Sequence, residues 1–134
     1  MILVDTSVWV DVLRDKTGDV VRTFKSRIGA EVVVFSRFIQ LELLQGAKDE
    51  HERRRLDEYL STQYYLEASE KTWRNAARVY FELRRSGMTV RSPIGCCIAC
   101  VAMESQAILL HRDHDFESIA KITPLENEYF SMPS

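Results

Sequence analysis

Ile2-Leu3-Val4-Asp5-Thr6-Ser7-Val8-Trp9 decides the architecture: a short apolar run ends on an aspartate and two hydroxyl residues, and an apolar pattern of a different period begins at once. An unbroken apolar run of this length reads as a strand buried on both faces, as strands of a parallel sheet are. Val8, Trp9, Val12 and Leu13 then share one face of a helix. The same alternation continues outward along the chain. Apolar runs at Val32 to Phe35, Tyr64 to Leu66 and Ile108 to Leu110, with a weaker one at Ile122 to Leu125, read as further strands. Between them, Val20, Val21, Phe24 and Ile28, and later Trp73, Ala76, Ala77, Tyr80 and Leu83, recur at helical spacing, while Gly46 and Gly87 stand where helices stop. Asp49 with Arg53, and Glu50 with Arg54, add acid-before-base pairs to an exposed helix ahead of the third strand. Strands alternating with helices require right-handed crossovers and a parallel sheet covered on both faces. The expectation is an α/β chain: a three-layer α/β/α domain on a central parallel sheet of four or five strands.

The 134 residues suit one domain, residues 1–134, and no repeat or Pro/Gly/Ser linker marks a boundary. A composition 46% hydrophobic and 28% charged is that of an ordinary globular protein. No apolar run approaches the roughly 20 residues that span a bilayer, and the N-terminus lacks a signal-peptide pattern. The expected setting is therefore the cytoplasm, with no membrane partner. A formal net charge of -2 supplies no global attraction for nucleic acid, so any such contact must use local basic patches. Cys96, Cys97 and Cys100 are too close along one helix for a disulfide framework and read as reduced thiols. A zinc site joining them to His111 or His114 is weighed below core packing, because no CxxC pair recurs.

In parallel sheets, ligands gather at the carboxyl ends of the strands. Asp5 sits at such an end, although an aspartate there also suits the N-cap of the following helix. Glu42 lies within Phe38-Ile39-Gln40-Leu41-Glu42-Leu43-Leu44 and shares a helix face with Phe38 and Ile39. Burying its charge without a partner would cost several kcal/mol, and a bound cation would supply one. Asp113 and Asp115 follow Ile108-Leu109-Leu110 directly, and only one of them can cap the next helix. Three separate elements thus deliver carboxylates to one edge. Clustered carboxylates repel unless protonated or bridged by a cation, and an all-oxygen set suits Mg²⁺ or Mn²⁺ rather than zinc.

Ile2-Leu3-Val4-Asp5-Thr6-Ser7-Val8-Trp9, Glu42 on a helix after the second strand, Ser92-Pro93-Ile94 opening a later helix, and His111-Arg112-Asp113-His114-Asp115-Phe116 together resemble a VapC-type PIN domain over nearly the whole chain. The resemblance implies a Mg²⁺- or Mn²⁺-dependent endoribonuclease, the toxin of a type II toxin–antitoxin system. It makes Asp5, Glu42 and Asp113 metal-site acids, Asp115 a supporting acid, and Ser7 a hydroxyl that positions Asp5 or bound water. The implied partners are an RNA substrate, a cognate VapB-like antitoxin covering the acidic groove, and a second copy in a homodimer. Arg91 and Arg112 are the candidates for contact with RNA phosphates.

One position departs from the family pattern. An aspartate is expected in the first turn after Ser-Pro, and Gly95 stands there. With Ser92 as N-cap and Pro93 first, residue 95 is third, where a carboxylate would meet free N–H groups and the positive dipole end. Three accounts fit the glycine: a natural degenerate copy, a deliberate inactivating substitution in a toxic protein, or a site lying elsewhere; we favour the second. The first two leave RNA cleavage impaired. The alternative from a different class is a catalytically inactive PIN-fold module that binds through antitoxin or oligomer contacts. A phosphoacceptor receiver domain is disfavoured, because its third strand should end on an aspartate and here runs into Glu67-Ala68-Ser69, and no lysine occurs in His111 to Phe116.

Overall fold

The structure, a computed structural model, describes residues 1–133. The first strand, β1 (Ile2–Val4), has all three side chains fully buried. Because alternate strand residues point to opposite faces, this burial means that both faces of the sheet are covered, which is the three-layer arrangement expected. On either side of β1 lie β2 (Val33–Val34) and β3 (Ile108–His111), and β4 (Asn127–Tyr129) completes the order β2-β1-β3-β4. All pairings are parallel, with Leu3 opposite Val34 and Leu109, and Leu110 opposite Glu128. The sheet therefore has four strands.

Two strand expectations need correction. Tyr64 to Leu66 forms only an isolated bridge from Tyr65 to Phe35, in which Phe35 N–H donates to the Tyr64 carbonyl (2.8 Å) and Leu66 N–H to the Phe35 carbonyl (2.8 Å). It skirts the outer side of β2, and Tyr64 is exposed. Ile122 to Leu125 is not a strand: Ile122 ends a helix, the Thr123 hydroxyl donates back to the Ile119 carbonyl, and Pro124 offers no ladder donor. The strand comes slightly later, in Asn127-Glu128-Tyr129, where an edge position does not demand apolar side chains.

The helices are α1 (Thr6–Leu13), α2 (Asp19–Ile28), α3 (Arg37–Gln45), α4 (Glu50–Leu60), α5 (Glu70–Arg85), α6 (Pro93–Glu104) and α7 (Asp115–Ile122). Residues Cys96 to Ala102 of α6 are all buried, so this helix is apolar on every side and lies in the middle of the core. The thiols pack there, and burial pushes Cys96 up to about 11 and Cys100 to about 12. Asp49 caps α4 by accepting from Glu52 N–H (2.8 Å), so it does not pair with Arg53, which binds Glu50 instead (2.7 Å). The buried stripe of α5 runs through Thr72, Ala76 and Leu83, and leaves Trp73 exposed against Phe38. Gly87, just past α5, takes φ 76°, the left-handed stop that glycine provides.

Candidate active site

Asp5 is buried and caps α1 as its residue type predicts. One carboxylate oxygen, Oδ2, accepts from both Ser7 N–H (3.0 Å) and Ser7 Oγ (2.6 Å). The Ser7 hydroxyl oxygen in turn accepts from Arg112 N–H at 2.9 Å. That chain of bonds ties the end of β1 to the loop after β3. Leu110 carbonyl accepts Asp5 N–H (2.9 Å), fixing the same two strand ends directly. Burial raises the Asp5 pKa above 3.8, the Ser7 bonds oppose the rise, and the charge of Asp113 adds to it.

Glu42 is half-buried on α3 and accepts a bond from the Thr6 hydroxyl at 2.8 Å. Its pKa is also raised, first by burial, against the Thr6 bond, and then by the charges of Asp5 and Asp113. The structure therefore brings Asp5, Glu42 and Asp113 to one edge, close enough that the Asp113 charge acts on both of the other acids.

Asp113 stands one residue ahead of His114, the N-cap residue of α7. Its Oδ1 accepts from Asp115 N–H (2.9 Å), leaving the Asp115 side chain free to take Arg91 N–H on its Oδ2 (3.0 Å). The Arg91 guanidinium spans both acids, 2.6 Å from Asp113 and 3.4 Å from Asp115. Arg112 turns elsewhere, to Asp11 (3.0 Å), the Phe130 carbonyl (2.9 Å) and the Tyr129 ring. At Gly95, the third residue of α6, a Cβ would lie 3.8 Å from Phe116 and 4.0 Å from Ile119, which is ordinary van der Waals contact. Both neighbours belong to α7, which begins at Asp115, and the Cys96 thiol feels the Asp115 charge.

Three contributors were not among the expected site residues. Thr6 holds Glu42 across 36 positions of chain, and Asp11 holds Arg112. His111 is fully buried at the end of β3: Nδ1 accepts from Asp113 N–H (3.2 Å) and Nε2 meets Asn127 Oδ1 (2.8 Å), a pairing that puts the ring proton on Nε2. Its only signature, a polar residue closing an apolar run, is too common to single it out.

The model of the PIN domain family matches residues 2–122. The chain is 37% identical over 135 aligned residues to VapC ribonuclease Mb1587 of Mycobacterium bovis, covering 97% of this chain and 99% of the relative, and it matches ribonuclease VapC11 of Mycobacterium tuberculosis to the same degree. Among solved structures, VapBC2 from Rickettsia felis bound to a promoter DNA fragment superimposes with a TM-score of 0.77 at 18% identity, covering 98% of this chain and 100% of that one, which shows a shared fold. With the family model matched over residues 2–122 and its relatives aligned nearly end to end, the chain belongs to the PIN-domain family, among the VapC ribonucleases.

Proposed function

We propose that the protein is a metal-dependent endoribonuclease, the toxin of a type II toxin–antitoxin pair, impaired in cleavage because residue 95 is glycine. The observation that carries this reading is the electrostatic crowding of Asp5, Glu42 and Asp113, three carboxylates from three elements, at the carboxyl edge of the sheet. Such crowding is relieved by a cation.

The donor set is all oxygen, which fits Mg²⁺ or Mn²⁺. Among the described residues, no three His, Cys, Asp or Glu side chains close on one point as a metal cage. Mg²⁺ commonly keeps several waters and uses one or two carboxylates, so an open set of acids suits it, and the glycine at 95 leaves this set one acid short of the family pattern. Asp5, Glu42 and Asp113 would hold the ion. When bound, it supplies activation of water and neutralisation of charge on a phosphodiester. Ser7 fixes the rotamer of Asp5, Thr6 that of Glu42, and the bond from Asp115 N–H that of Asp113, so the chain pre-orients its acids. Arg91 carries its guanidinium beside this edge and is the cation suited to RNA phosphates, while Arg112, whose backbone meets Ser7, would have to release Asp11 to join it.

An antitoxin partner is supported by the relatives, several of which are described in complex as VapBC. A groove of about 950 Å³ between α1 and α4, lined by Trp9, Leu13, Leu56 and Tyr59 together with charged residues of both signs, among them Arg55 and Glu52, suits an amphipathic segment of such a partner. The exposed Trp73 and Leu41 on α5 and α3 suit a homodimer contact. The alternative, a PIN-fold binding module without activity, draws on Gly95 and the open acid set. The test is incubation of a mixed RNA pool with the protein in Mg²⁺, Mn²⁺ or EDTA, beside Asp113→Asn. Slow cleavage that needs metal and is lost in the variant supports the nuclease. Cleavage in EDTA contradicts the metal-dependent reading, and no cleavage under any condition supports the binding module.

A further inference from the structure

We propose that Arg91 is the resident counter-cation of the acidic edge, a guanidinium that a divalent ion must displace from Asp113, and hence a positioning residue that sets the metal affinity of the site. The inference rests on the metal-site reading above and deepens it.

Both oxygens of Asp113 are already engaged. Oδ1 takes the backbone N–H of Asp115 at 2.9 Å, and Oδ2 takes the guanidinium of Arg91 at 2.6 Å. The first bond comes from the first residue of α7 and is held by the backbone. The second is held by a long side chain that is 77% exposed and pairs with the two acids. Of the two partners, the guanidinium is the one that can leave, because water replaces its bonds at little cost. Arg91 N–H also donates to Asp115 Oδ2 (3.0 Å), so residue 91 stays tethered beside the site when its side chain swings away.

A cation approaching Asp113 therefore meets a like charge and a ligand oxygen already in use. Among the described residues no cation pairs with Asp5 or Glu42, which are held by the neutral hydroxyls of Ser7 and Thr6. The site is thus neutralised at one end by the protein's own arginine and left crowded at the other. With glycine at 95 there is one carboxylate fewer to outbid the guanidinium. Once displaced, the guanidinium would stay tethered beside Asp113 and be free to meet an RNA phosphate, which joins its pairing with acids in the metal-free protein to a later contact with RNA.

The experiment is a Mn²⁺ titration of the intact protein, reading the free aqua ion by electron paramagnetic resonance, with Arg91→Gln, Arg91→Met, Arg91→Lys and Asp113→Asn in parallel. A unit charge roughly 5 Å from a divalent ion in a water-like dielectric changes its affinity about tenfold. Arg91→Gln and Arg91→Met should bind Mn²⁺ about tenfold tighter than the parent, an advantage that shrinks toward ~1 M salt, while Arg91→Lys stays near the parent. Loss of a merely structural contact would leave affinity equal or lower. Unchanged or weaker binding in both neutral variants, with binding lost in Asp113→Asn, overturns the role of Arg91 and leaves the metal site standing. Binding by Asp113→Asn equal to the parent, or no binding by parent and neutral variants at millimolar Mn²⁺, overturns both.

Discussion

Replacing Asp5 with asparagine should make the metal-free protein more stable near pH 8 and make it indifferent to Mg²⁺. Asparagine keeps the shape and an acceptor for the two Ser7 bonds, so the cap of α1 survives. Two effects then oppose each other. Bonds to a charged acceptor are worth roughly 1 kcal/mol more than bonds to a neutral one, so the exchange weakens both. Against this, an ionised carboxylate that is only 5% exposed carries a desolvation cost of up to several kcal/mol, and it also repels Asp113. Because the net effect holds the Asp5 proton more tightly than in the unfolded chain, desolvation and repulsion win, and the variant gains on the order of 1 kcal/mol. Below pH 3.8 Asp5 is protonated in both folded and unfolded parent, and the two proteins should match most closely. As pH rises past 3.8 the unfolded chain releases the proton first. The parent loses stability until the folded group also ionises, and the gap is constant beyond that. At this chain length 1 kcal/mol is roughly 3–5 °C in Tm. Mg²⁺ at tenfold over its Kd should return about 1.4 kcal/mol to the parent alone. Thermal unfolding by circular dichroism between pH 3 and pH 8, in EDTA and in Mg²⁺, reads all of this. A variant that melts lower than the parent in EDTA at pH 8, or that gains equally from Mg²⁺, refutes the reasoning.

Ser7→Ala removes the hydroxyl that joins Asp5 to Arg112 N–H, leaving a part-buried donor unpaired; it should cost about 1–3 kcal/mol in urea unfolding and weaken Mn²⁺ binding as well, whereas a purely structural Ser7 would change only the first. The three cysteines are buried, with Cys96 and Cys100 pushed up to about 11 and about 12, so the folded protein should show almost no reaction with a disulfide reagent at pH 8 and the denatured chain should titrate all three; rapid labelling in the folded state would contradict their place in the core.

What the sequence made legible is what short stretches of chain determine. Ile2-Leu3-Val4 announces a doubly covered strand because both faces need apolar residues, and Asp5 follows it covalently. Ser92 and Pro93 fix the third position of α6 by capping chemistry, which is how Gly95 stands out. β4 escaped notice because an edge strand pairs on one side only, so Asn127-Glu128-Tyr129 carries no apolar run. Trp73 fits the helical period of α5 but lies at the margin of its buried stripe, where tertiary packing against Phe38 leaves it exposed. The pairings that organise the acids, Thr6 with Glu42 and Arg91 with Asp113, join residues 36 and 22 positions apart and have no local signature.

The central claim is that one carboxylate separates this chain from an efficient nuclease, and the single-turnover rate of RNA cleavage by Gly95→Asp tests it most directly. A Cβ at 95 makes only ordinary contacts, and an acid at the third position of a helix is favoured by roughly 0.3–1 kcal/mol, so the variant should fold. With the oxygen set completed, Mg²⁺- or Mn²⁺-dependent cleavage should rise about a hundredfold or more over the parent, vanish in EDTA, and be abolished again by adding Asp5→Asn. A parent that already cleaves as fast as the variant, or a folded variant inert with both metals on a mixed RNA pool, would contradict the account.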